Sequence, residues 1–179
     1  MCVVTILLVI LFVTVAWRWG DWKNWKLYYP SILFFILGDL LYHYLLFDFF
    51  PMWRYNPFGL DESLGLTHTF IAFLIMFFIY PASILLYLGH FPTGSGPMRK
   101  FAYYIVWIGI TVLIEYIIVQ FNGIQYYNGW SLTWSALFVI VMLFTLRIHH
   151  IYPLAAWVLS LLFITFLLIK FQVPFHVFR

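Results

Sequence analysis

Four ionisable side chains lie inside strongly apolar stretches of the sequence, where a charge is costly. Asp39 and His43 are four residues apart in GDLLYHYLLFDFF, His68 stands in LTHTF and Glu115 stands in LIEYIIVQF. A spacing of four places Asp39 and His43 on one face of a helix, where the carboxylate can accept a hydrogen bond from the imidazole. Because an ionised carboxylate in hydrocarbon costs several kcal/mol, Asp39 and Glu115 are predicted to face the interior of a helical bundle.

The composition indicates where this bundle lies. The chain has 179 residues, of which 65% are hydrophobic and 8% charged, with a mean hydropathy of +0.99. Soluble domains contain roughly 25% charged residues. The sequence therefore predicts an all-α integral membrane protein that folds as one compact domain. The net charge of +3 does not indicate nucleic-acid binding, because most of the Lys and Arg residues flank apolar runs in short loops. Cys2 is the single cysteine, so neither an intramolecular disulfide nor a cysteine-based zinc cluster is expected.

Six apolar runs approach or exceed the roughly 20 residues that a helix needs to cross the hydrocarbon core. They cover residues 2–19, 27–50, 64–90, 101–121, 130–149 and 152–173. The sequence predicts a bundle of six transmembrane helices, or of five if the short first run lies at the interface. Lys and Arg are concentrated in the first, third and fifth loops. This distribution predicts a multi-pass protein of the cell membrane with both termini outside the cytoplasm.

The predicted topology brings the four ionisable side chains to a similar depth. At 1.5 Å per residue, Asp39, His43 and Glu115 lie roughly 18–24 Å from the inner ends of their helices, and His68 lies near 24 Å. The cluster can lock helices two, three and four together or line an outward-open site for a small molecule or ion. It can also relay protons. Further polar side chains predicted to assist it are Tyr42, Tyr116 and Gln120.

A divalent metal ion is another possible occupant of the cluster. Two carboxylates with two histidines suit zinc, manganese or iron, although the spacing matches no strong metal-binding motif. The candidate ligands are Asp39, His43, His68 and Glu115. The adjacent pair His149 and His150 is predicted to lie at the membrane interface instead, because neighbouring residues on a helix point about 100° apart.

The motifs also resemble those of a known family. They are DWKNWKLYYPSILFFILGDLLYHYLL, PMWRY, LTHTFI, IEYI, YNGWSLTWS and LRIHHIYPLAAW. As a set they resemble a widespread family of uncharacterised multi-pass membrane proteins from endospore-forming bacilli and clostridia, over nearly the whole chain after the first loop begins. The resemblance implies no activity. It implies that these residues stand in family motifs: Asp39, His68, Glu115, Asn128, Gly129, Trp130 and Arg147.

The resemblance bears on the metal hypothesis. In relatives the position of His43 is more typically Asn, and the position of Ala72 is more typically acidic. A ligand set that changes from His to Asn would not hold one metal across the family, whereas a hydrogen-bonding pocket tolerates both versions.

Three functions follow from these observations. The first is a non-enzymatic protein of the bacterial plasma membrane whose polar cluster organises the bundle or lines a small-ligand site. The second is a transporter or channel for a small solute or ion, with Asp39 and Glu115 as binding groups and with a homo-oligomer or a membrane-protein partner expected. The third is a metal-dependent membrane enzyme, which no catalytic signature supports. The sequence leaves the cofactor unknown, and the lipid bilayer is a partner in each case.

Overall fold

The computed structural model describes residues 2–46, 49–55 and 72–174, and these ranges are mainly helical. Two three-residue strands, β1 (Trp53–Tyr55) and β2 (Ile124–Tyr126), follow the second and fourth helices. A short 3-10 turn, Trp22–Asn24, joins the first two helices. The helices are α1 (Cys2–Trp19), α2 (Trp25–Leu45), α3 (Ala72–Gly89 in its described part), α4 (Pro97–Gln120), α5 (Leu132–Ile151) and α6 (Pro153–Lys170).

Four helices, α3 to α6, are each long and apolar enough to cross a membrane, with mean hydropathies between 1.7 and 2.1. α1 covers the same residues as the first apolar run. α2 carries Asp39 and His43 within its 21 residues and does not reach the same apolarity. It also ends at Leu45, earlier than the predicted Phe50. The first part of the third predicted span, residues 64–71, lies outside the described residues.

Proline begins two of these helices. Pro97 and Pro153 stand at the first positions of α4 and α6, where the missing N–H would have no partner within the helix. α5 and α6 are separated by Tyr152 alone and pack against each other as a hairpin. The starts of α4 and α6 are therefore set by local sequence.

The strands form an antiparallel ladder that the sequence analysis did not predict. Trp53 pairs with Tyr126 and Tyr55 pairs with Ile124, so the segment after α2 is hydrogen-bonded to the segment after α4. We call this end of the bundle the strand end. Side chains alternate along a strand, and Trp53 and Tyr55 accordingly face the bundle whereas Arg54 does not. Three-residue strands are too short to produce a detectable alternation of apolar and polar residues in the sequence.

The core lies where α2, α3 and α5 meet, and α4 covers one side of it. Tyr87 of α3 is 1% exposed, and its hydroxyl donates a hydrogen bond to the Leu143 carbonyl of α5 at 2.9 Å. The Tyr103 hydroxyl of α4 donates to the Tyr87 carbonyl at 2.7 Å. These bonds link three helices at one point. The buried apolar residues of this core are Tyr28, Ile32, Ile84, Leu85, Tyr87, Leu88, Val139, Leu143 and Leu146.

A second set of polar contacts lies at the opposite end, where the turn after α1 meets α3. The Asp21 carboxylate accepts hydrogen bonds from Asn24 at 3.0 Å and from the Tyr28 hydroxyl at 2.8 Å. The Asn24 bond, more than the Tyr28 bond, lowers the pKa of Asp21. Gly89 permits this close approach, since a Cβ there would stand 2.8 Å from the Asp21 Cβ.

His149 is buried between helices, which was not predicted from the sequence. It lies in the last turn of α5 and is 5% exposed. Its Nδ1 lies 3.0 Å from the Ser31 hydroxyl, and its ring stacks on Phe34 with ring centres 4.2 Å apart. The helix continues past Arg147 to Ile151, which carries the histidine into the contact with α2.

Candidate functional site

A cavity of about 1160 Å³ lies among the helices, and the two carboxyl groups singled out by the sequence both line it. Ligand pockets commonly measure about 300–1,000 Å³, so the cavity is large enough for a drug-sized molecule. Its wall is almost entirely apolar and draws on all six helices and on the strands. The polar exceptions include hydroxyl side chains along the wall, among them Ser83, Thr111, Thr145 and Ser160. The carboxyl groups of Asp39 and Glu115 lie toward the strand end, together with Tyr55 and Tyr80.

Asp39 lies on α2 with 15% of its side chain exposed. The hydroxyl of Tyr80 on α3 is its hydrogen-bonding neighbour across the helix interface. The predicted Asp39–His43 pair is looser than expected. His43 Nδ1 lies 2.9 Å from the Asp39 backbone carbonyl and 3.6 Å from the carboxylate Oδ1. Since a carbonyl oxygen only accepts, His43 makes this contact with a protonated Nδ1, which donates a hydrogen bond to the backbone carbonyl.

Tyr80 reaches Asp39 because α3 widens directly before it. Residues Ile75–Ile79 form a π-helical turn, and the Tyr80 N–H bonds the Ile75 carbonyl five residues earlier. The cause lies in the next residue, since Pro81 has no N–H and its ring cannot approach the carbonyl four residues before it. π-turns are rare and are often found at functional sites. The proline that causes this π-turn is visible in the sequence, in YPAS.

Tyr42 of α2 holds β1 in place. Its hydroxyl accepts hydrogen bonds from the Met52 N–H at 3.0 Å and the Trp53 N–H at 3.2 Å, and it donates to the Trp53 carbonyl at 3.0 Å. A hydroxyl has one proton and two lone pairs, so all of its bonding capacity is used. The Tyr42 ring also stacks on Trp53 with ring centres 4.2 Å apart and planes 2° from parallel.

The anchored strand places Tyr55 near both carboxyl groups. Its hydroxyl lies within electrostatic range of Asp39 and of Glu115. Burial, and after it the negative charges of these carboxyls, raises the pKa of Tyr55 well above its usual value. Tyr55 therefore remains protonated. Tyr55 is not among the site residues predicted from the sequence.

Glu115 of α4 lies on the other side of Tyr55. Its Oε1 accepts a hydrogen bond of 2.7 Å from the Tyr126 hydroxyl of β2. Burial and this bond raise the pKa of Tyr126. Nearby, the Trp130 Nε1–H donates to the Ser135 hydroxyl at 2.8 Å, which fastens the start of α5 to the same end. The two paired strands thus carry Tyr55 and Tyr126, which lie next to the two carboxyl groups.

The other predicted site residues lie elsewhere. Tyr116 is 46% exposed, and Gln120 is exposed at the end of α4. A helix turns about 100° per residue, so neither shares the face of Glu115. His68 lies outside the described residues. Within residues 2–46, 49–55 and 72–174, no three His, Cys, Asp or Glu side chains lie close enough to hold a metal ion.

Thr145 contributes an unusual hydroxyl to the cavity wall. It is 4% exposed, lines the cavity and makes no hydrogen bond through its Oγ1. Other helical hydroxyls in this chain bond the carbonyl four residues earlier, at 2.7–2.9 Å; they are Thr14, Ser83, Thr111 and Thr165. A threonine in a transmembrane helix usually makes this bond. At Thr145 the bond is absent, and the hydroxyl oxygen is buried without a partner.

The cavity is continuous with the outer apolar surface of the bundle. Several of its lining side chains are also exposed, among them Leu37 (50%), Phe78 (62%), Ile110 (47%) and Leu161 (59%). These residues lie at mid-helix, where a membrane would surround them. A molecule dissolved in the bilayer would meet the cavity from the side.

Comparison of the chain with protein-family models, with curated proteins and with solved structures gives no match. What the fold defines is a helical protein with four helices able to span a membrane and a large apolar cavity that ends in carboxyl and tyrosine groups.

Proposed function

We propose that this chain is a multi-pass protein of the bacterial plasma membrane that binds a small amphipathic ligand in the cavity. One observation carries the proposal: the wall of the cavity of about 1160 Å³ is almost entirely apolar, and its two carboxyl groups, Asp39 and Glu115, both lie toward the strand end. Such a wall complements a molecule with an apolar body and a polar head. With both termini outside the cytoplasm, the polar end lies toward the outer face of the membrane.

The side opening supports a ligand that arrives through the bilayer. Exposed apolar residues at mid-helix line the cavity, so an amphipathic molecule would keep its body in an apolar environment on the way in. Apolar side chains that face empty space lose dispersion contacts, and an occupant restores them. A network that only locked the helices together would need no such volume.

The experiment fills part of the cavity by a glycine-to-leucine substitution. Ligand binding by this variant is compared with binding by a matched variant whose substitution lies outside the cavity. Gly38 lines the cavity, and a Cβ built there meets no atom within 4 Å. Gly109 on α4 is equally unhindered but does not line the cavity. Leucine at either position should also raise helix propensity by a similar amount, about 0.8–1.0 kcal/mol relative to glycine. Gly38→Leu should therefore fill part of the cavity, whereas Gly109→Leu should leave its volume unchanged.

The probe is a twelve-carbon alcohol that carries a diazirine in its chain, added to the full-length protein in phosphatidylcholine nanodiscs. After irradiation, intact mass gives the labelling yield and peptide mapping gives the labelled residues. We expect labels on cavity-lining residues in the wild type and in Gly109→Leu, and several-fold fewer in Gly38→Leu. Equal labelling of the three proteins, or labels confined to the outer surface, would refute the proposal.

A further inference from the structure

A groove on the outer surface of the bundle lies between α4 and α5. It has a volume of about 560 Å³ and shares no lining residue with the cavity. Both helices contribute apolar side chains to its wall, mainly Phe101, Tyr104, Ile105, Ile108, Ile140 and Phe144. Four of these, all except Tyr104 and Ile108, are 45–62% exposed. The groove is therefore open to the lipid phase along its length.

The length of the groove suits an acyl chain in one leaflet. From Lys100 to Ile108 the wall on α4 spans roughly 12 Å at 1.5 Å per residue. One leaflet contributes about 15 Å of the hydrocarbon core. The apolar wall therefore begins at the end of the bundle and extends through most of one leaflet.

One end of the groove carries positive charge. Lys100 lines the groove in the first turn of α4, and Arg99 beside it is exposed. Arg147, near the end of α5, lies at the same end of the bundle. Its guanidinium lies over the Phe91 ring, 4.3 Å from the ring centre, and within electrostatic range of Tyr104, which lines the groove.

These positive charges have no acidic partner in the described part of the chain. Neither Arg99, Lys100 nor Arg147 lies within 4 Å of a carboxylate of the described residues. The first turn of α4 contains no acidic residue, and Gly96 provides no side-chain cap. Because basic residues near the positive end of a helix dipole are unfavourable, an anion at this end of the groove would offset both the side-chain charges and the dipole.

We propose that the groove binds an anionic phospholipid, whose head group lies at Lys100 and whose acyl chain lies along Ile105, Ile108 and Ile140. The apolar wall favours an acyl chain over a soluble anion, and the unbalanced cations favour an anionic head group over a zwitterionic one. With the predicted orientation, this end of the bundle faces the cytoplasm and the lipid belongs to the inner leaflet. The inference is independent of the ligand proposed for the cavity.

The test compares two head groups on one acyl chain. Phosphatidylglycerol and phosphatidylcholine probes carry the same diazirine in the same chain, and each is added in trace amount to the full-length protein in phosphatidylcholine nanodiscs. Peptide mapping after irradiation gives the labelled residues. We expect phosphatidylglycerol to label the groove residues at least about fivefold more than phosphatidylcholine, since each Lys or Arg near the head group favours an anionic lipid by about that factor.

Charge-removing variants assign the preference to the groove. Lys100→Gln removes the cation that lines the groove and should reduce labelling by phosphatidylglycerol by about fivefold. Lys26→Gln is the matched control, because Lys26 lies in the first turn of α2 at the same end of the bundle but does not line the groove. It should leave labelling of the groove unchanged. If Lys100→Gln does not fold, the comparison of the two probes on the wild type still decides.

Three results would overturn the proposal. Equal labelling of the groove by the two probes would refute the preference for an anionic head group. An equal loss in Lys100→Gln and Lys26→Gln would show that the lipid responds to the total charge of this end and not to the groove. Labels on the outer surface with none in the groove would mean that another chain or segment covers it. None of these results depends on labelling of the cavity, so either proposal can fail while the other stands.

Discussion

Replacing Thr145 with valine tests whether its hydroxyl is as unpartnered as the structure shows. Valine has nearly the same shape and a similar helix propensity, so the substitution removes mainly the polar group. A buried hydroxyl without a partner costs about 1–3 kcal/mol. Thr145→Val should therefore increase the free energy of unfolding of the ligand-free protein by about that amount. For a chain of this length, each kcal/mol corresponds to a rise in melting temperature of roughly 2–4 °C.

Thr111 provides a matched control with the opposite expected sign. It lines the same cavity, but its hydroxyl donates to the Trp107 carbonyl at 2.9 Å. Thr111→Val loses this bond and should decrease the free energy of unfolding by about 0.5–1.5 kcal/mol. Both variants are measured by thermal unfolding in the same ligand-free nanodiscs. Both variants replace threonine with valine. If their changes in the free energy of unfolding differ in sign, the Thr111 hydroxyl has a hydrogen-bond partner and the Thr145 hydroxyl has none.

The reasoning would be refuted if Thr145→Val melted at or below the wild-type temperature while remaining folded. That result would mean that the hydroxyl has a partner in the ligand-free protein.

Three further changes test the strand end, the opposite end and one turn. Tyr42→Phe should lower the free energy of unfolding by about 1–3 kcal/mol in thermal unfolding, because it leaves two N–H groups of the strand segment without their acceptor. The lowered pKa of Asp21 means that its carboxylate stabilises the fold above the unfolded-state pKa and loses this effect as the pH falls through the folded-state pKa. The wild type should therefore be more stable than Asp21→Asn at neutral pH, and melting curves should show the difference disappearing below the usual pKa of aspartate. Gly129→Ala should lower the melting temperature, because Gly129 has a φ of +81° that alanine adopts with strain.

Each of these changes has a control. Tyr116→Phe alters an exposed tyrosine and should leave the melting temperature unchanged, so an equal loss there would contradict the role given to Tyr42. A constant stability difference for Asp21→Asn down to strongly acidic pH would contradict the ionic origin of its contribution. Gly94→Ala changes a glycine of ordinary backbone geometry in open space, and an equal loss there would show that strain does not explain Gly129→Ala.

Much of the helical layout could be predicted from the sequence. Apolar length identified the runs that form α3 to α6, and Pro97 and Pro153 gave local signals for two helix starts. Asp39 and Glu115 could also be identified from the sequence, because a charged side chain is costly in hydrocarbon. That cost depends on the residue type and on the apolar residues around it in the sequence, and not on its tertiary contacts. The six predicted spans, the family and the orientation stay predictions.

The tertiary structure decided which side chains accompany these carboxyls. Tyr55 and Tyr126 come near them only because two three-residue strands pair across the bundle, and Tyr80 because Pro81 widens α3. Such pairing depends on contacts between residues about seventy positions apart, which no local pattern contains. The same holds for His149, which contacts Ser31 through the packing of α5 on α2.

The sequence by itself therefore determined that this chain must bury two acids among apolar helices, since hydrophobic length and charge are properties of each segment. Only the tertiary structure decided that the acids share one cavity, that Tyr116 and Gln120 lie outside it and that the Thr145 hydroxyl is left without a partner. Those outcomes depend on how each helix is rotated about its axis and on which neighbour covers each face. Rotation is set by the packing of all the helices together.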